Sequence, residues 1–266
     1  MKTFRLIETE KLDGYTNMAI DEALFLSYLK NKIPVLRIYE WEPPAISIGR
    51  FQNITNLFKE NFSKYQIVRR ITGGGSILHH QEITYSIVCS PDDLGIKKIE
   101  VKKGFKILTE FLIKTYRDFG LNAGYAISNF KKNLGIKTQL CFAGKEEYDI
   151  VIDRKKIGGN AQKRSKDSIF QHGSIPLMID FDLFNEVFNK DFIPNKDSIT
   201  WLKDYILDQD IIKFKERLKY NFEQSLNIKL YNDNLTFDEE NLKNILIKEK
   251  YSNKEWNFYG KETRMA

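Results

Sequence analysis

Apolar residues recur at helical spacing in two long segments of the chain. Intervals of three and four residues place apolar side chains on one face of a helix. The pattern predicts helices near Tyr15–Leu29 and over Gly104–Asp118, and weaker periodicity predicts helical segments at Trp201–Leu207 and Ile211–Phe222. The stripe residues are Ala19, Ile20, Ala23 and Leu26 in the first helix and Phe105, Leu108, Leu112 and Tyr116 in the second.

Strand patterns surround the first helix and continue beyond it. The alternation is clear in PVLRIYEW, where Val35, Arg37 and Tyr39 would face one side of a sheet. A Pro-Pro pair then breaks the chain. The predicted strands are Thr3–Glu8, Pro34–Trp41, Ala45–Phe51, Gln66–Arg70 and Glu82–Cys89.

Two hairpins in series are predicted between residues 148 and 178. The strand YDIVI meets a polar Asp-Arg turn and returns as KKIGGNAQ, and the turn RSKD then leads into SIFQHGSIPLM. In a continuous KKIGGNAQ strand, Ile157 would face the core, and Lys156 would point to the opposite face with Asn160.

Strands, hairpins and flanking helices together predict an α+β fold with a mixed β-sheet flanked by helices. A polar stretch around Leu226–Asn234 separates a tail in which Thr236 and Glu239 have the spacing of a helix capping box. The expected organisation is one large domain over residues 1–228 and a small helical appendage over residues 229–266.

The composition is that of a folded protein. A chain of 266 residues with 42% hydrophobic content can bury a core and is not disordered throughout. Cys89 and Cys141 provide neither a disulfide framework nor a metal quartet. The first residues lack the apolar run of a signal peptide, and no stretch approaches the roughly 18 apolar residues that span a bilayer. A cytoplasmic protein with reduced thiols and no membrane partner is expected.

The formal net charge is +6, which favours an acidic partner such as a carrier protein or nucleic acid only weakly. Lysine is scattered along the chain, so a solvated lysine surface explains the charge better. Because no aromatic-basic recognition motif is present, no nucleic acid partner is expected.

The segment RRITGGGSILHHQEITYS, residues 69–86, restricts the chemistry most. Three consecutive glycines suit a sharp bend or the close approach of a ligand. The loop opens into a strand pattern and lacks Gly-Lys-Ser/Thr, which excludes a Walker loop and a dinucleotide fingerprint. Its N–H groups can face an acyl carbonyl or a phosphate, whereas the alternative is a tight strand connection. The candidate binding residues are Arg69, Arg70, Gly73, Gly74, Gly75 and His79.

The segment KKIGGNAQ supplies a second set of candidates. Lys156 lies beside small residues, where an ammonium group can hold a carboxylate, stabilise an oxyanion or lower the pKa of a thiol. A solvated hairpin lysine is an equally good explanation of the pattern. Gly158, Asn160 and Ala161 accompany Lys156 as candidate ligand contacts.

Two further residues are candidates for acyl transfer. Cys141 precedes a predicted strand, and a thiolate there can act as the nucleophile when an ammonium group is close. The alternative is a small buried hydrophobe, which suits Cys89 better. His172 in FQHGSI can be a proton shuttle, a carbonyl donor or a structural histidine, and the sequence does not choose among them.

Five segments in this order resemble the biotin/lipoate protein ligase family: NMAIDEAL, RIYEWEPPAISIGRFQ, RRITGGGSILHHQEITYS, KKIGGNAQKR and FQHGSIPL. The chain looks most like the LipM-type octanoyltransferase branch, because Cys141, YDIVI and Lys156 match where that branch carries its acyl-thioester cysteine and activating lysine. The resemblance implies a core similar to class II tRNA synthetases. His80 departs from the family, where this position is often aspartate.

The resemblance implies that Cys141 takes an octanoyl group from octanoyl-acyl carrier protein and passes it to a lysine of a lipoyl domain or glycine-cleavage H protein. Lys156 would favour the thiolate and hold the acyl carbonyl, and no nucleotide or other cofactor would be needed. The implied substrate-binding residues are Arg69, Arg70, Gly73, Gly74, Gly75, His79, Gly158, Asn160, Ala161 and His172.

Two other functions fit parts of the pattern. An ATP-dependent lipoate-protein ligase would activate a free carboxylate as an acyl-adenylate with the same loop and lysine, and would not need Cys141. A non-catalytic binder of RNA or of a carrier protein would use the same scaffold without acyl turnover.

Overall fold

A computed structural model describes residues 1–96, 100–129 and 146–261. Its largest sheet has six strands and is mixed, because β1 pairs in parallel with β2 and β12 whereas β2, β6, β11 and β10 pair antiparallel in that order. The α+β prediction is confirmed. In spatial order, the strands are β10 (Gly159–Ser165), β11 (Ser168–Pro176), β6 (Glu82–Cys89), β2 (Val35–Trp41), β1 (Lys2–Leu12) and β12 (Ile228–Asn232).

Two three-stranded sheets accompany the main sheet. The first carries the glycine loop between two of its strands, and the second carries Lys156. The first contains β4 (Gln66–Arg69), β3 (Ala45–Ile48) and β5 (Ile77–His79), and the second contains β7 (Ala123–Tyr125), β8 (Ile150–Ile152) and β9 (Lys155–Lys156).

Helices cover both faces of the main sheet. On one face, Phe111 of α2 packs edge-on against Tyr85, and Phe222 of α5 packs against Phe4. On the other face, α1 buries Ala23 and Leu24. The helices are α1 (Gly14–Asn31), α2 (Val101–Asp118), α3 (Ala126–Asn129), α4 (Phe181–Val187), α5 (Ile211–Leu226), α6 (Phe237–Leu246) and α7 (Lys254–Tyr259), with a π-helical turn at Ile247–Tyr251 and 3₁₀ turns at Glu60–Lys64, Asp92–Leu94, Lys190–Phe192, Lys196–Ser198, Leu202–Asp204 and Asp208–Asp210.

The predicted KKIGGNAQ strand is wrong as a continuous element. The chain leaves β9 after Lys156 and enters the main sheet at Gly159, so Lys156 and Asn160 belong to different sheets. Gly158 makes the crossing with φ +73°, where an added Cβ would lie 2.0 Å from the carbonyl oxygen of Ser174. Only glycine fits this left-handed, closely packed position.

Two other element predictions are corrected near the C-terminal end. The segment Trp201–Leu207 contains only a short 3₁₀ turn at Leu202–Asp204. The polar stretch Leu226–Asn234 contains β12, which pairs with β1 at the edge of the main sheet. Its first residue, Ile228, contributes a buried side chain to the core.

The C-terminal tail, residues 229–266 of the predicted division, is joined to the core by buried ion pairs in its described part. Thr236 and Glu239 form the predicted capping box. Glu239 also accepts from Arg5 at 2.7 Å, and Lys250 donates to Glu22 at 2.7 Å. The division at residues 228 and 229 stays a prediction. Among the helices of the described residues, none combines the length and the apolar character that a membrane span requires.

Candidate active site

A cavity lies between the glycine loop and the strands β10 and β11, and its space, including the part open to solvent, is about 390 Å³. It brings together residues that lie far apart in the sequence. Of the predicted binding residues, Arg70, Gly74, His79, Asn160, Ala161 and His172 line it. The other lining residues are Met18, Tyr39, Trp41, Ser47, Ile77, Thr84, Gly159, Gly173 and Ser174.

Arg70 holds the glycine loop in its bent shape. Its guanidinium group donates to the carbonyl oxygens of Gly73 at 2.8 Å and Gly75 at 2.7 Å. Between them, Gly74 adopts φ +94°, and its carbonyl oxygen would lie 2.0 Å from a Cβ added to Gly49. The loop is therefore a tightly packed turn whose carbonyls are fixed by one buried arginine.

Arg69 lies elsewhere, although it was predicted to line the same loop. Its side chain donates to the carbonyl oxygens of Gly49, Gln52 and Phe258 at 2.8 to 2.9 Å. The Arg69 carbonyl accepts from the Trp256 indole at 2.7 Å. Adjacent strand residues point to opposite faces, so Arg70 faces the loop and Arg69 fastens the C-terminal helix α7.

His79 forms a fixed wall of the cavity. Its Nδ1 lies 2.7 Å from Glu82 Oε1, and its Nε2 lies 2.7 Å from Ser47 Oγ. The imidazole also stacks on Trp41 with ring centroids 3.8 Å apart. Because both ring nitrogens have partners and Ser174 also donates to Glu82, this corner is a satisfied polar network.

His172 lies between the buried carboxylate of Asp21 and the glycine loop. Its Nδ1 is 3.6 Å from Asp21 Oδ2, and its Nε2 is 2.7 Å from Thr72 Oγ1. Burial lowers the pKa of His172, and Asp21 offsets only part of that effect. His172 is therefore neutral near pH 7.

Asp21 holds His172, Arg37 and Tyr39 together at the site, although the sequence pattern does not predict this role. Burial opposes its charge, but His172, Arg37 and Tyr39 together lower the pKa of its carboxyl group below the ordinary value. Arg37 donates to Asp21 at 2.9 Å and Tyr39 donates at 2.8 Å. The available signal was a carboxylate inside the apolar run MAIDEALFL together with an arginine inside an apolar strand, because buried charges are paired.

Lys156 is almost fully buried, so the alternative of a solvated hairpin lysine is wrong. Its Nζ donates to Asp149 Oδ2 at 2.6 Å. Asp149 lines a second, wider cavity together with Asn160, Phe105 and the segment 146–148; its space, including the part open to solvent, is about 910 Å³. Asn160 is therefore shared by both cavities, whereas Lys156 is held just behind the second.

The remaining predicted residues have mixed locations. Cys141 lies outside the described residues. Cys89 is buried at the end of β6, as the sequence predicts, and burial raises the pKa of its thiol. Gly158 lies at the strand crossing rather than in the cavity lining. His80 lies outside this lining, with its Nε2 3.3 Å from the side-chain nitrogen of Gln81.

Known proteins resemble this chain over most of its length. A model of the lipoyl protein ligase A/B catalytic domain matches residues 13–223. The chain belongs to this family. Octanoyltransferase LipM of Halalkalibacterium halodurans is 35% identical to it over 97% of this chain and 99% of the relative. Octanoyltransferase LipM of Bacillus subtilis is 33% identical over 97% of this chain and 98% of the relative.

Solved structures of the family share the fold. A crystal structure of lipoate-protein ligase A bound with ATP superposes with a TM-score of 0.80 at 25% identity, covering 97% of this chain and 99% of that one. A putative lipoate protein ligase from T. acidophilum with bound lipoic acid gives a TM-score of 0.79 at 25% identity, covering 97% and 100%. The family fold and the mixed sheet with flanking helices are thus confirmed.

Proposed function

We propose that this chain is an octanoyltransferase, an acyltransferase of lipoate assembly that attaches an octanoyl group to proteins. The observation that carries the proposal is the match to octanoyltransferases LipM over nearly the whole length of both chains. The cavity beside the glycine loop supports it, since apolar Met18, Trp41 and Ile77 share its lining with hydrogen-bonding groups.

The finer proposal concerns the route of the acyl group. The Cys141 thiolate would attack the thioester carbonyl of octanoyl-acyl carrier protein and release the carrier thiol. The ε-amine of a lysine on a lipoyl domain or glycine-cleavage H protein, having lost its ammonium proton, would attack the new thioester. As the amide bond forms, the C–S bond breaks and the Cys141 thiolate leaves. The attacking nitrogen then loses one proton, which goes to this sulfur or to solvent.

Lys156 supports this route through its charge and its confinement. A buried ammonium group near the wider cavity favours thiolate over thiol and attracts the oxygen of a carbonyl that develops negative charge. Asp149 fixes its position at 2.6 Å. The apolar part of the cavity would contribute about 0.8 kcal/mol for each buried methylene of the acyl chain.

The alternative function is an ATP-dependent ligase, and it is supported by the similarity to a lipoate-protein ligase A structure that contains ATP. The deciding experiment is intact-mass analysis after incubation with octanoyl-acyl carrier protein and no nucleotide. We expect an octanoyl adduct on wild type and on Cys89→Ala, and none on Cys141→Ala. Cys89 is the matched control because it is the buried thiol of the described chain.

Two outcomes would contradict the proposal. An adduct that persists in Cys141→Ala would move the nucleophile to another residue. Attachment of free lipoate that requires ATP and survives Cys141→Ala would identify a ligase instead.

A further inference from the structure

A buried chain of hydrogen bonds links helix α2 to the edge of the cavity. The side-chain nitrogen of Gln171 donates to the Leu108 carbonyl and to the Tyr85 hydroxyl, both at 2.9 Å. The Tyr85 hydroxyl then donates to Asn160 Oδ1 at 2.6 Å. Gln162 closes the chain from the other side by donating to Gln171 Oε1 at 2.5 Å.

The hydrogen bond from Gln171 to the Leu108 carbonyl oxygen fixes the donor and acceptor of the other bonds. A carbonyl only accepts, so the Gln171 atom that faces Leu108 must be the amide nitrogen, and the same nitrogen donates to Tyr85. Burial raises the pKa of Tyr85, so its hydroxyl keeps the proton and has Asn160 as its acceptor. The Asn160 atom that faces Tyr85 is therefore oxygen, and the two N–H groups of Asn160 point away from Tyr85.

Gly173 makes room for this arrangement. It lies directly opposite Asn160 in the β10–β11 register. A Cβ on Gly173 would lie 2.1 Å from Asn160 Oδ1 and 2.6 Å from the Tyr85 ring. No other residue type fits at this position without moving the Asn160 side chain, so glycine helps to set the direction of the amide.

The N–H groups of Asn160 are available to a ligand. Within the described part of the chain, Tyr85 is the only hydrogen-bond partner of the Asn160 side chain. Asn160 lines both the cavity beside the glycine loop and the wider cavity that contains Asp149. An acyl chain seated in the first cavity would bring its carbonyl end past Asn160 toward the Lys156–Asp149 pair.

We propose that the Asn160 amide donates a hydrogen bond to the acyl carbonyl oxygen, and that Tyr85 and Gln171 are positioning residues for it. This inference rests on the proposed octanoyl transfer. In each half-reaction the carbonyl oxygen gains negative charge as the nucleophile adds and returns to a carbonyl when the sulfur leaves. Asn160 exchanges no proton; it stabilises the charged oxygen, as preorganised amide donors do.

Kinetics of Asn160→Ala test the catalytic role. Loss of one donor to an oxyanion lowers kcat by about 10²–10³-fold, and we expect that fall with little change in KM for octanoyl-acyl carrier protein. Asn160→Asp should fall at least as far, because a carboxylate accepts hydrogen bonds and repels the developing charge. Thermal unfolding of each variant checks that the fold is retained.

A double-mutant cycle tests the positioning role. We expect Tyr85→Phe to lower kcat in wild type and to cause no further loss in Asn160→Ala, because its effect passes through Asn160. Tyr116→Phe is the matched control: Tyr116 is a buried tyrosine of the same core cluster that takes no part in this hydrogen-bond chain, and its change should leave kcat unaltered.

Infrared spectra of the ¹³C-carbonyl acyl-enzyme give a readout independent of rate. The carbonyl stretch should lie at lower frequency in wild type than in Asn160→Ala, because a hydrogen bond weakens the C=O bond. If wild type forms no acyl adduct, the proposed function fails and this inference fails with it. If the adduct forms but Asn160→Ala keeps the wild-type kcat and stretch, only the inference is overturned.

Discussion

Two adjacent arginines that precede the glycine loop bind different parts of the molecule, and residue type alone does not show which part each one binds. Arg69 and Arg70 are chemically identical and adjacent, yet one binds the C-terminal helix and the other binds the loop. The sequence predicted both as ligand contacts because it shows residue type and spacing. It could not show Phe258 as a partner of Arg69, because that contact spans 189 residues.

Residues with polar side chains on a predicted strand face were easier to place. The sequence brought His79, Asn160 and His172 into one candidate site, and all three line the same cavity. It did not predict a role for Asp21, an acidic residue within the apolar run of α1. Tertiary pairing with Arg37 makes it a buried residue.

At this scale, His172 should make stability depend on pH. Its folded pKa is below the unfolded value of about 6.5, so the unfolded chain takes up the proton first as pH falls. The stability that neutral His172 contributes is therefore complete above about pH 6.5 and is lost as pH falls below that value toward the folded pKa. Urea unfolding at pH 7.5 and 5.5 measures it.

His172→Gln should show a smaller loss of unfolding free energy between these two pH values than wild type. His80→Gln serves as the control, because His80 is only partly buried and lies outside the cavity lining. An unchanged pH dependence in His172→Gln would contradict the assignment of a neutral, buried imidazole.

Among the secondary-structure elements, periodicity predicted the strands and long helices of the core well. It failed where tertiary contacts decide the path of the chain. Gly158 turns a predicted strand into two because the chain must change sheets there. Strand β12 looked like a polar separator, since only Ile228 is fully buried and the parallel partner β1 is more than 200 residues away.

The docking of α7 should depend on Arg69. A planar guanidinium group reaches several carbonyl oxygens at once, and a lysine ammonium group cannot reproduce that fork. We expect Arg69→Lys to lower the unfolding free energy by about 1–3 kcal/mol, since buried carbonyls lose their donors. Hydrogen exchange should speed up specifically in Lys254–Tyr259.

Arg217→Lys is the control for this prediction, because Arg217 is a half-exposed arginine on α5 that pairs with Asp118 at 3.5 Å. Its exchange pattern in α7 should match wild type. Equal protection of α7 in Arg69→Lys would show that the helix is held without the guanidinium group, by the Trp256 indole and by Asn257 Oδ1, which accepts from the Arg69 backbone N–H at 3.0 Å.

At the scale of the whole molecule, the buried ion pairs between the tail and the core determine whether residues 1–228 can fold alone. In a chain that ends at residue 228, Arg5 would lose its ion-pair partner Glu239, and Glu22 would lose its partner Lys250. Removing one partner of a buried pair costs about 3–5 kcal/mol, a large part of the stability of an ordinary domain. We therefore expect residues 1–228 alone to lack a cooperative unfolding transition.

Near-ultraviolet circular dichroism and thermal unfolding of residues 1–228 test this expectation. A chain of residues 1–261 is the control, since it keeps every tail contact described above and should unfold cooperatively. A stable, cooperative 1–228 fragment with octanoyl transfer would instead establish the tail as a separate unit.

The parallel pairing of β1 with β12 also governs how the protein is made. Lys2 pairs with Ile228 in the sheet, and the Arg69 side chain donates to the Trp256 carbonyl oxygen. These early residues therefore emerge from the ribosome long before their partners have been synthesised. Long-range pairing of this kind slows folding and leaves apolar strands uncovered meanwhile. The edge of β1 that pairs with β12 therefore stays unpaired in the nascent chain until residues 228–232 have been synthesised, and we expect chaperones to bind during that interval.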